Sequence, residues 1–499
     1  MAEAIFIYPK TGLDMAGAVA PPFSVMFAAA GLIRDGYKVK IIDQRVHHRW
    51  RDMLTVQLQE RPDFVGISTM TGPQIKFALE IAKFVRNNKS GIPIVWGGIH
   101  PTIMTEQTLK EEMADFVVMG EAEYIMPNFI KALRGNVAFA EVDGLAYKNN
   151  TKVVINKAAD FVDMESLPPT PWELIDVETY ITRGLYMDSS PRTLDIGETS
   201  RGCPFRCAFC CSSAVRQHHW RPMSKEKALA KIINDVRRFN LTGIWIRDDN
   251  FYVDLERVEY ICRGMIENNL NITWYTAGTR VTDINRISDN LMKLIRTSGC
   301  TTVKIGAESG SDATLRYIRK VETKEDIIYA NKKLIEYDIK PTYSFIIGFP
   351  QQSKIEWKET LDVMDQLLTD NKDAMIDALN MFTPHPATEL YQVSRESGLI
   401  EPDSLKGWQD WGFRANNKAI WLNKPDRRLI ENICDISIYF GSVNRVFSTI
   451  SNPIKRFFFK LLFFIPEWYY KTRWRKRWFK FDPTLRLLRF IRKAYCGGL

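Results

Sequence analysis

Three cysteines, Cys203, Cys207 and Cys210, fall within eight residues in the stretch Thr-Ser-Arg-Gly-Cys-Pro-Phe-Arg-Cys-Ala-Phe-Cys-Cys-Ser-Ser, residues 199–213. A turn that tight aims three thiolates at one point. Three are too few to close a structural zinc site, which takes four protein ligands. The nearest fourth donors are Cys211, whose side chain points away in an extended run, and His218 or His219. Three thiolates do suit a [4Fe–4S] cluster with one iron left open for a substrate or cofactor, unlike a cluster held by four cysteines. The remaining cysteines, Cys262, Cys300, Cys434 and Cys496, are scattered singly and form no disulfide framework. Met1-Ala-Glu-Ala leads straight into a strand pattern without a secretory leader, so the expected compartment is the reducing cytoplasm.

Strand-like and helix-like stretches alternate on both sides of this loop. Before it, residues 4–8, 39–42, 64–68, 92–96 and 116–119 read as strands, with helical patterns such as 22–34 and 74–87 between them. This α/β alternation predicts a Rossmann-like, doubly wound parallel sheet over residues 1–150. Ligands of such sheets sit at the carboxyl ends of the strands. Those ends are small or polar: Ser68-Thr69-Met70 and Gly97-Gly98. The two glycines let a flat or bulky ligand approach the backbone. Residues 151–192, with Pro168-Pro169-Thr170-Pro171-Trp172, read as a stiff connector on which Trp172 and Tyr180 pack against both neighbours. From 193 to 390, six strand-like runs (193–197, 243–246, 272–276, 302–305, 342–347 and 378–382) alternate with helical stretches and predict a partial (β/α)6 barrel of the TIM type. Barrel chemistry sits in the loops after the strands, and the cysteine loop follows the first. Polar groups gather at the other strand ends: Arg247-Asp248-Asp249-Asn250, Gly278-Thr279-Arg280, Gly306-Ala307-Glu308-Ser309-Gly310 and Gly348-Phe349-Pro350.

The CxxxCxxC spacing, with Phe209 before the third cysteine, resembles the radical S-adenosylmethionine (SAM) enzymes. The first domain, with Ser68, Gly97-Gly98-Ile99-His100-Pro101 and Gly120-Glu121-Ala122-Glu123, resembles the cobalamin (B12)-binding domain found ahead of many of them. The resemblance implies a [4Fe–4S] cluster on Cys203, Cys207 and Cys210. It implies SAM chelated to the open iron, and cobalamin beside Ser68, Gly97 and Gly98. It places Asp248 on the SAM amino group, Glu308 and Ser309 on the ribose, and Phe209 against the adenine, with lesser contacts from Asp249, Arg280 and Gly348. One departure concerns cobalt. Where the cobalamin fold often carries Asp-x-His-x-x-Gly, this chain reads Pro9-Lys10-Thr11-Gly12-Leu13-Asp14. Cobalamin is therefore expected to bind without a protein histidine on cobalt, and His47, His48 and His100 read as surface or supporting residues. The implied activity is cobalamin-dependent radical SAM chemistry, with methyl transfer to an unactivated carbon as the first reading. An external one-electron reductant of the ferredoxin or flavodoxin type would feed it. The same architecture serves the oxidative cyclase of the magnesium-protoporphyrin monomethyl ester type. A cobalamin or cluster sensor without turnover is the alternative from another class, though a sensor has no need of an open iron.

Residues 391–499 read as a helical extension, with Trp408 to Trp411 in a lid or side wall. Its end is basic: from Arg445 to Lys493, 14 Lys or Arg stand against Glu467 and Asp482, a net of +12 in a chain of net charge +9. The catalytic body is thus slightly acidic. Phe457-Phe458-Phe459, Phe463-Phe464, Trp468-Tyr469-Tyr470, Trp474 and Trp478-Phe479 interleave with these charges. No run nears the roughly 20 apolar residues that span a bilayer. Basic and aromatic residues together suit a helix in the membrane interface. The competing reading packs the aromatics on the barrel with the charges solvated, and nucleic acid is disfavoured. A peripheral position on the inner membrane face would suit a lipid or other hydrophobic small-molecule substrate.

Overall fold

The computed structural model describes residues 2–12, 19–89, 91–150, 152–182, 190–412, 419–440, 453–480 and 484–485. The chain forms two compact units, Met1–Tyr180 with Ile400–Ala415, and Ile181–Leu399 with Asn416–Gly498.

The first unit is built on seven strands: β1 (Ala4–Tyr8), β2 (Val39–Asp43), β3 (Phe64–Ser68), β4 (Ile94–Gly97), β5 (Phe116–Val118), β6 (Leu145–Asn149) and β7 (Lys152–Ile155). Their order is β2-β1-β3-β4-β5-β6-β7. The first five are parallel, and β6 and β7 add an antiparallel hairpin at one edge. In β3 all of Phe-Val-Gly-Ile-Ser is buried, as a central parallel strand covered on both faces requires. The helix Gln74–Asn88 turns Ile75, Ala78, Ile81, Ala82 and Val85 inward, one face at helical spacing. Two sequence expectations are corrected here. Lys152–Ile155 is not connector but the last strand of this sheet. Residues 400–412, expected in a lid or side wall of the C-terminal extension, group with this unit: Trp408 lies edge-on to His100 at 5.4 Å and beside Trp411 at 4.6 Å. Gln107 Nε2 donates to the carbonyl of Pro402. Trp172 packs edge-on against Phe23, and the Tyr180 hydroxyl donates to Asp43 at 2.8 Å.

The second unit contains β8 (Thr193–Asp195), β9 (Ser200–Arg201), β10 (Arg221–Pro222), β11 (Gly243–Ile246), β12 (Thr273–Thr276), β13 (Cys300–Glu308), β14 (Lys340–Ile347) and β15 (Met375–Met381). Six of these form a parallel sheet in the order β15-β14-β13-β12-β11-β8, the partial barrel. β9 and β10 pair separately, antiparallel. Five helices between the barrel strands start on a side chain that accepts a backbone N–H: Ser224, Asp254, Ser288, Thr323 and Ser353. Each such cap satisfies one of the donors a helix start leaves open.

The helix Lys424–Ser437 and the long helix Pro453–Arg475 complete this unit. The basic tail divides in two. Tyr470, Trp474 and Phe479 are buried. Tyr470 stacks on Tyr439 at 4.4 Å, Trp474 Nε1 donates to Asp365, and Arg477 pairs with Asp362 and Asp365. Ile454, Phe457, Trp468 and Trp478 are exposed. Among the described residues no helix is long and apolar enough to cross a membrane.

Candidate functional site

The cysteine loop starts where β8 hands over to β9, and two adjacent carboxylates at the end of β11 hold it. Asp248 Oδ1 accepts the N–H groups of Thr199 (2.5 Å) and Ser200 (3.0 Å). Its Oδ2 accepts the hydroxyls of Thr199 (2.8 Å) and Ser200 (2.7 Å). Arg257 backs the same turn, donating to the Thr199 carbonyl at 3.0 Å and to its hydroxyl at 2.8 Å. Asp249 grips the loop further on, accepting from Gly202 N–H at 2.9 Å and from the Ser212 hydroxyl at 2.7 Å. Gly202 has φ +83°, and a Cβ there would fall 2.0 Å from the His219 carbonyl oxygen, so only glycine lets the loop fold back on itself. Gly278, after β12, likewise presses its backbone against the carbonyls of Asp248 and Asp249.

Within the loop, Cys210 N–H donates to the Cys207 carbonyl at 3.1 Å. Burial raises the Cys203 thiol, which also feels Cys210 and Cys207 as neighbouring negative charges and Arg280 as a positive one. Arg280 donates to Cys207 Sγ at 3.1 Å. Cys211 begins the short helix Cys211–Val215, so it does not lie in an extended run. Among the described residues no three His, Cys, Asp or Glu side chains converge closely enough to share a single ion. An iron–sulfur cube spreads its ligands over separate corners. Cys203 with Cys207 and Cys210 as neighbours, Cys207 already taking a charged N–H donor, has the donor type of a cluster site.

The other expected SAM residues fall at the same end of the barrel. Phe209 faces Phe349 at 6.2 Å, and Phe349 continues to Phe382 and Trp421 as one aromatic row. Glu308 ends β13 with φ +60°, a left-handed conformation costly for a glutamate. Its Oε1 stands 3.8 Å from Lys320 Nζ. Ser309 is turned away: its hydroxyl pairs with Thr360 at 3.0 Å and accepts Ser311 N–H. Asp248 is 1% exposed, and its four acceptor directions are all filled by the loop. The sequence placed it on SAM; the structure places it beneath the loop. Arg257, Lys320 and Glu322 escaped the sequence reading because no motif marks them.

In the first unit, the loops after β3 and β4 are stitched together. Thr69 N–H donates to Gly97 O, and His100 N–H to Thr69 O. Ser68 Oγ donates to Ser24 Oγ at 2.8 Å. At Gly98, φ is +94° and a Cβ would lie 2.6 Å from Thr69 O and 2.9 Å from Ser68 Oγ. At Gly97 a Cβ would meet only Val118 O at 3.8 Å, and at Gly120 nothing within 4 Å. The backbone after β4 and β5 is thus open on one side, a floor that suits a broad flat ligand such as cobalamin. Of the two expectations for His100, surface or supporting, the surface one fails: it is fully buried, with Nδ1 3.0 Å from the Thr71 hydroxyl. Burial lowers its pKa to about 3. His47 Nδ1 accepts Asp43 N–H, and His48 is exposed. Residues 9–12 carry no histidine, and Leu13 and Asp14 lie outside the described residues.

The B12 binding domain family matches residues 9–130, and the Radical SAM superfamily matches residues 198–364. The chain is a cobalamin-dependent radical SAM enzyme. A radical SAM domain implies a [4Fe–4S] cluster and SAM, and a B12-binding domain implies cobalamin. The enzyme is 29% identical over 387 residues to the uncharacterized methyltransferase PH0819 of Pyrococcus horikoshii, which spans 77% of this chain and 80% of that one. It is 29% identical over 405 residues to the anaerobic magnesium-protoporphyrin IX monomethyl ester cyclase of Cereibacter sphaeroides, spanning 79% of this chain and 63% of that one. The solved structure of the cobalamin-dependent SAM radical enzyme OxsB with aqua-cobalamin bound shares its fold, with a TM-score of 0.75 at 19% identity over 99% of this chain and 76% of that one.

Proposed function

We propose that this radical SAM enzyme is a methyltransferase that acts on an unactivated carbon of a hydrophobic small molecule. The observation that carries the reading is a clamped three-thiol loop at the end of a barrel strand, in the same chain as a sheet whose strand ends offer an open glycine floor. Methyltransferase relatives add weight to it. When bound, the cluster supplies the electron for reductive cleavage of SAM, and cobalamin supplies methyl-carrier chemistry. Cys203, Cys207 and Cys210 hold three corners of the cluster. Asp248 and Asp249 keep the loop in the geometry those sulfurs need before any ligand arrives, which is preorganisation. Phe209, backed by Phe349, offers a flat face to the adenine. Glu308 accepts from a ribose hydroxyl, and Ser309 fixes the turn that presents Glu308. Ser68, Gly97 and Gly98 form the floor for the corrin. The electron comes from an external reductant of the ferredoxin or flavodoxin type in the cytoplasm.

The cyclase relative supports a second reading, oxidative ring closure. Anaerobic incubation of the cobalamin- and cluster-loaded enzyme with methyl-deuterated SAM and a reductant separates the two. Methyl transfer predicts S-adenosylhomocysteine alongside 5′-deoxyadenosine, with label in the product. 5′-Deoxyadenosine alone, with no label passed on, sinks methyl transfer and favours the cyclase. Neither compound would favour a sensor.

We also infer that the tail touches an anionic membrane surface. Support comes from Phe457, Trp468 and Trp478, exposed among basic residues. Near such a leaflet each Lys or Arg adds about 1 kcal/mol. Truncation would remove the buried Tyr470 and Trp474, so substitution is the cleaner test. Replacing Phe457, Trp468 and Trp478 together by Ser should cut co-pelleting with phosphatidylglycerol liposomes several-fold. Unchanged pelleting, or none in either protein, would leave plain packing as the role of the tail.

A further inference from the structure

A buried chain of charges runs from the cysteine loop to Glu308, the proposed ribose acceptor. Arg280, just past β12, donates from NH1 to Cys207 Sγ at 3.1 Å. Its guanidinium lies 3.9 Å from the centre of the Phe205 ring. On its other side, NH2 stands 3.7 Å from Glu322 Oε2, and the Glu322 side chain is fully buried. Lys320 Nζ sits 3.9 Å from Glu322 Oε1 and 3.8 Å from Glu308 Oε1. Among the described residues neither Glu322 oxygen has a hydrogen-bond partner, nor do Arg280 Nε and NH2. At these separations the ions act on one another through their fields rather than through hydrogen bonds. Such an arrangement is a poor source of stability. One end of it touches a cluster ligand.

We propose that Arg280 is a positioning residue that raises the reduction potential of the cluster, and that Glu322 is the counter-charge that trims the effect. The proposal rests on Cys207 being a cluster ligand. One-electron reduction adds a negative charge to the cluster, taken from the external reductant, with no other group oxidised. A cation 3.1 Å from a ligand sulfur, donating an N–H to it, favours the reduced form. Iron–sulfur potentials respond to net charge, hydrogen bonds to the sulfurs and exposure to solvent. Phe205 covers one face of the guanidinium, so water does not screen it. Glu322 offsets part of the positive charge without reaching the sulfur.

The test is a redox titration with Ti(III) citrate, followed by the EPR signal of the reduced cluster, on the reconstituted full-length protein. Iron content is measured alongside. Burial pushes the Glu322 carboxyl up to about 7, so the titration is run at pH 8.5, where it is ionised. Arg280→Gln should lower the equilibrium constant for reduction at least tenfold, which is about 59 mV for one electron. Arg280→Lys should recover a good part of that. Glu322→Gln should move the potential the other way, upward, by at least threefold in the same constant. A purely structural role would not give opposite signs. If Arg280→Gln does not hold iron, Arg280→Lys and Glu322→Gln decide. Iron-replete variants with the wild-type potential overturn this proposal alone, as do Arg280 and Glu322 variants that both shift downward. Wild-type protein that takes up no iron overturns the cluster reading and this proposal with it.

Discussion

Removing the Asp248 carboxylate should cost the protein its cluster through the loop and not through SAM. In Asp248→Ala, four buried donors lose their acceptor. The hydroxyls of Thr199 and Ser200 can turn to other partners, but the two backbone N–H groups cannot. Each buried donor left unpaired costs about 1–3 kcal/mol, so the pair costs about 2–6 kcal/mol. Arg257, 3% exposed, also loses the negative charge that acts on it most strongly. For a unit of this size each kcal/mol moves the melting midpoint by about 2–4 °C, so a loss near the middle of that range lowers it by about 8–16 °C. Asp248→Asn is the control. Its single oxygen can accept both N–H groups, and its NH2 can donate to hydroxyls that rotate to receive it. Only the charge is lost, for about 1–2 kcal/mol. The assays are thermal unfolding by circular dichroism and iron content after anaerobic reconstitution. Asp248→Ala should retain less than half the wild-type iron, and Asp248→Asn nearly all of it. The reasoning is refuted if Asp248→Ala keeps wild-type stability and iron but binds SAM more weakly. That result would return the carboxylate to the SAM amino group.

Cys207→Ser should lose the iron signature and all release of 5′-deoxyadenosine, whereas Cys211→Ser, outside the thiol triad, should keep both. Gly98→Ala should cost about 1–3 kcal/mol from its backbone conformation alone, with the clash at Thr69 O added, and should abolish co-elution of cobalamin on gel filtration. Gly91→Ala, where a Cβ meets nothing within 4 Å, should do neither. His100 is held neutral by burial, its pKa lowered to about 3 against about 6.5 in the unfolded chain. Its contribution to stability is therefore complete above pH 6.5 and falls as the pH drops toward 3. Between pH 6.5 and 5 this one group should cost about 2 kcal/mol, and urea unfolding of His100→Gln should show a pH dependence flatter by that amount.

The parallel strands of both sheets were legible because a parallel sheet covered on both faces needs nearly continuous apolar runs, whereas the antiparallel pair Leu145–Asn149 and Lys152–Ile155, less buried at the sheet edge, was not. Where a strand carries polar residues, the reading fell short. Residues 302–305 read as a strand, but β13 runs from Cys300 to Glu308. The missed end, Gly306-Ala307-Glu308, reads as a polar strand-end loop, though its backbone still pairs with β14. A strand polar inside a barrel looks like a loop end until its partner strand is known. Which of its two readings, surface or supporting, His100 would take was hidden for a related reason. Nothing near it in sequence covers it, and the Trp408 ring against it arrives some three hundred residues later. Tyr470, Trp474 and Phe479 looked like surface aromatics among charges, and the acidic groups that receive Trp474 and Arg477, Asp362 and Asp365, lie on another helix of the same unit.

Asp248 shows what strand-end carboxylates need before they are read as cofactor contacts. At the start of this loop the N–H groups of Thr199, Ser200 and Gly202 point at the end of β11, and buried N–H groups require acceptors. The neighbouring strand end is the nearest place to find them. Asp248 and Asp249 are therefore demanded by the cysteine loop itself, whatever binds above it. Glu308 is different. Its contact is a cation at 3.8 Å, no tight turn among the described residues draws on its oxygens, and its backbone is held at φ +60°. A carboxylate kept in a costly conformation without feeding a loop has its acceptor capacity left for a ligand. Glu308 stays the carboxylate we propose for the ribose, and Asp248 belongs to the architecture that makes a three-cysteine site possible.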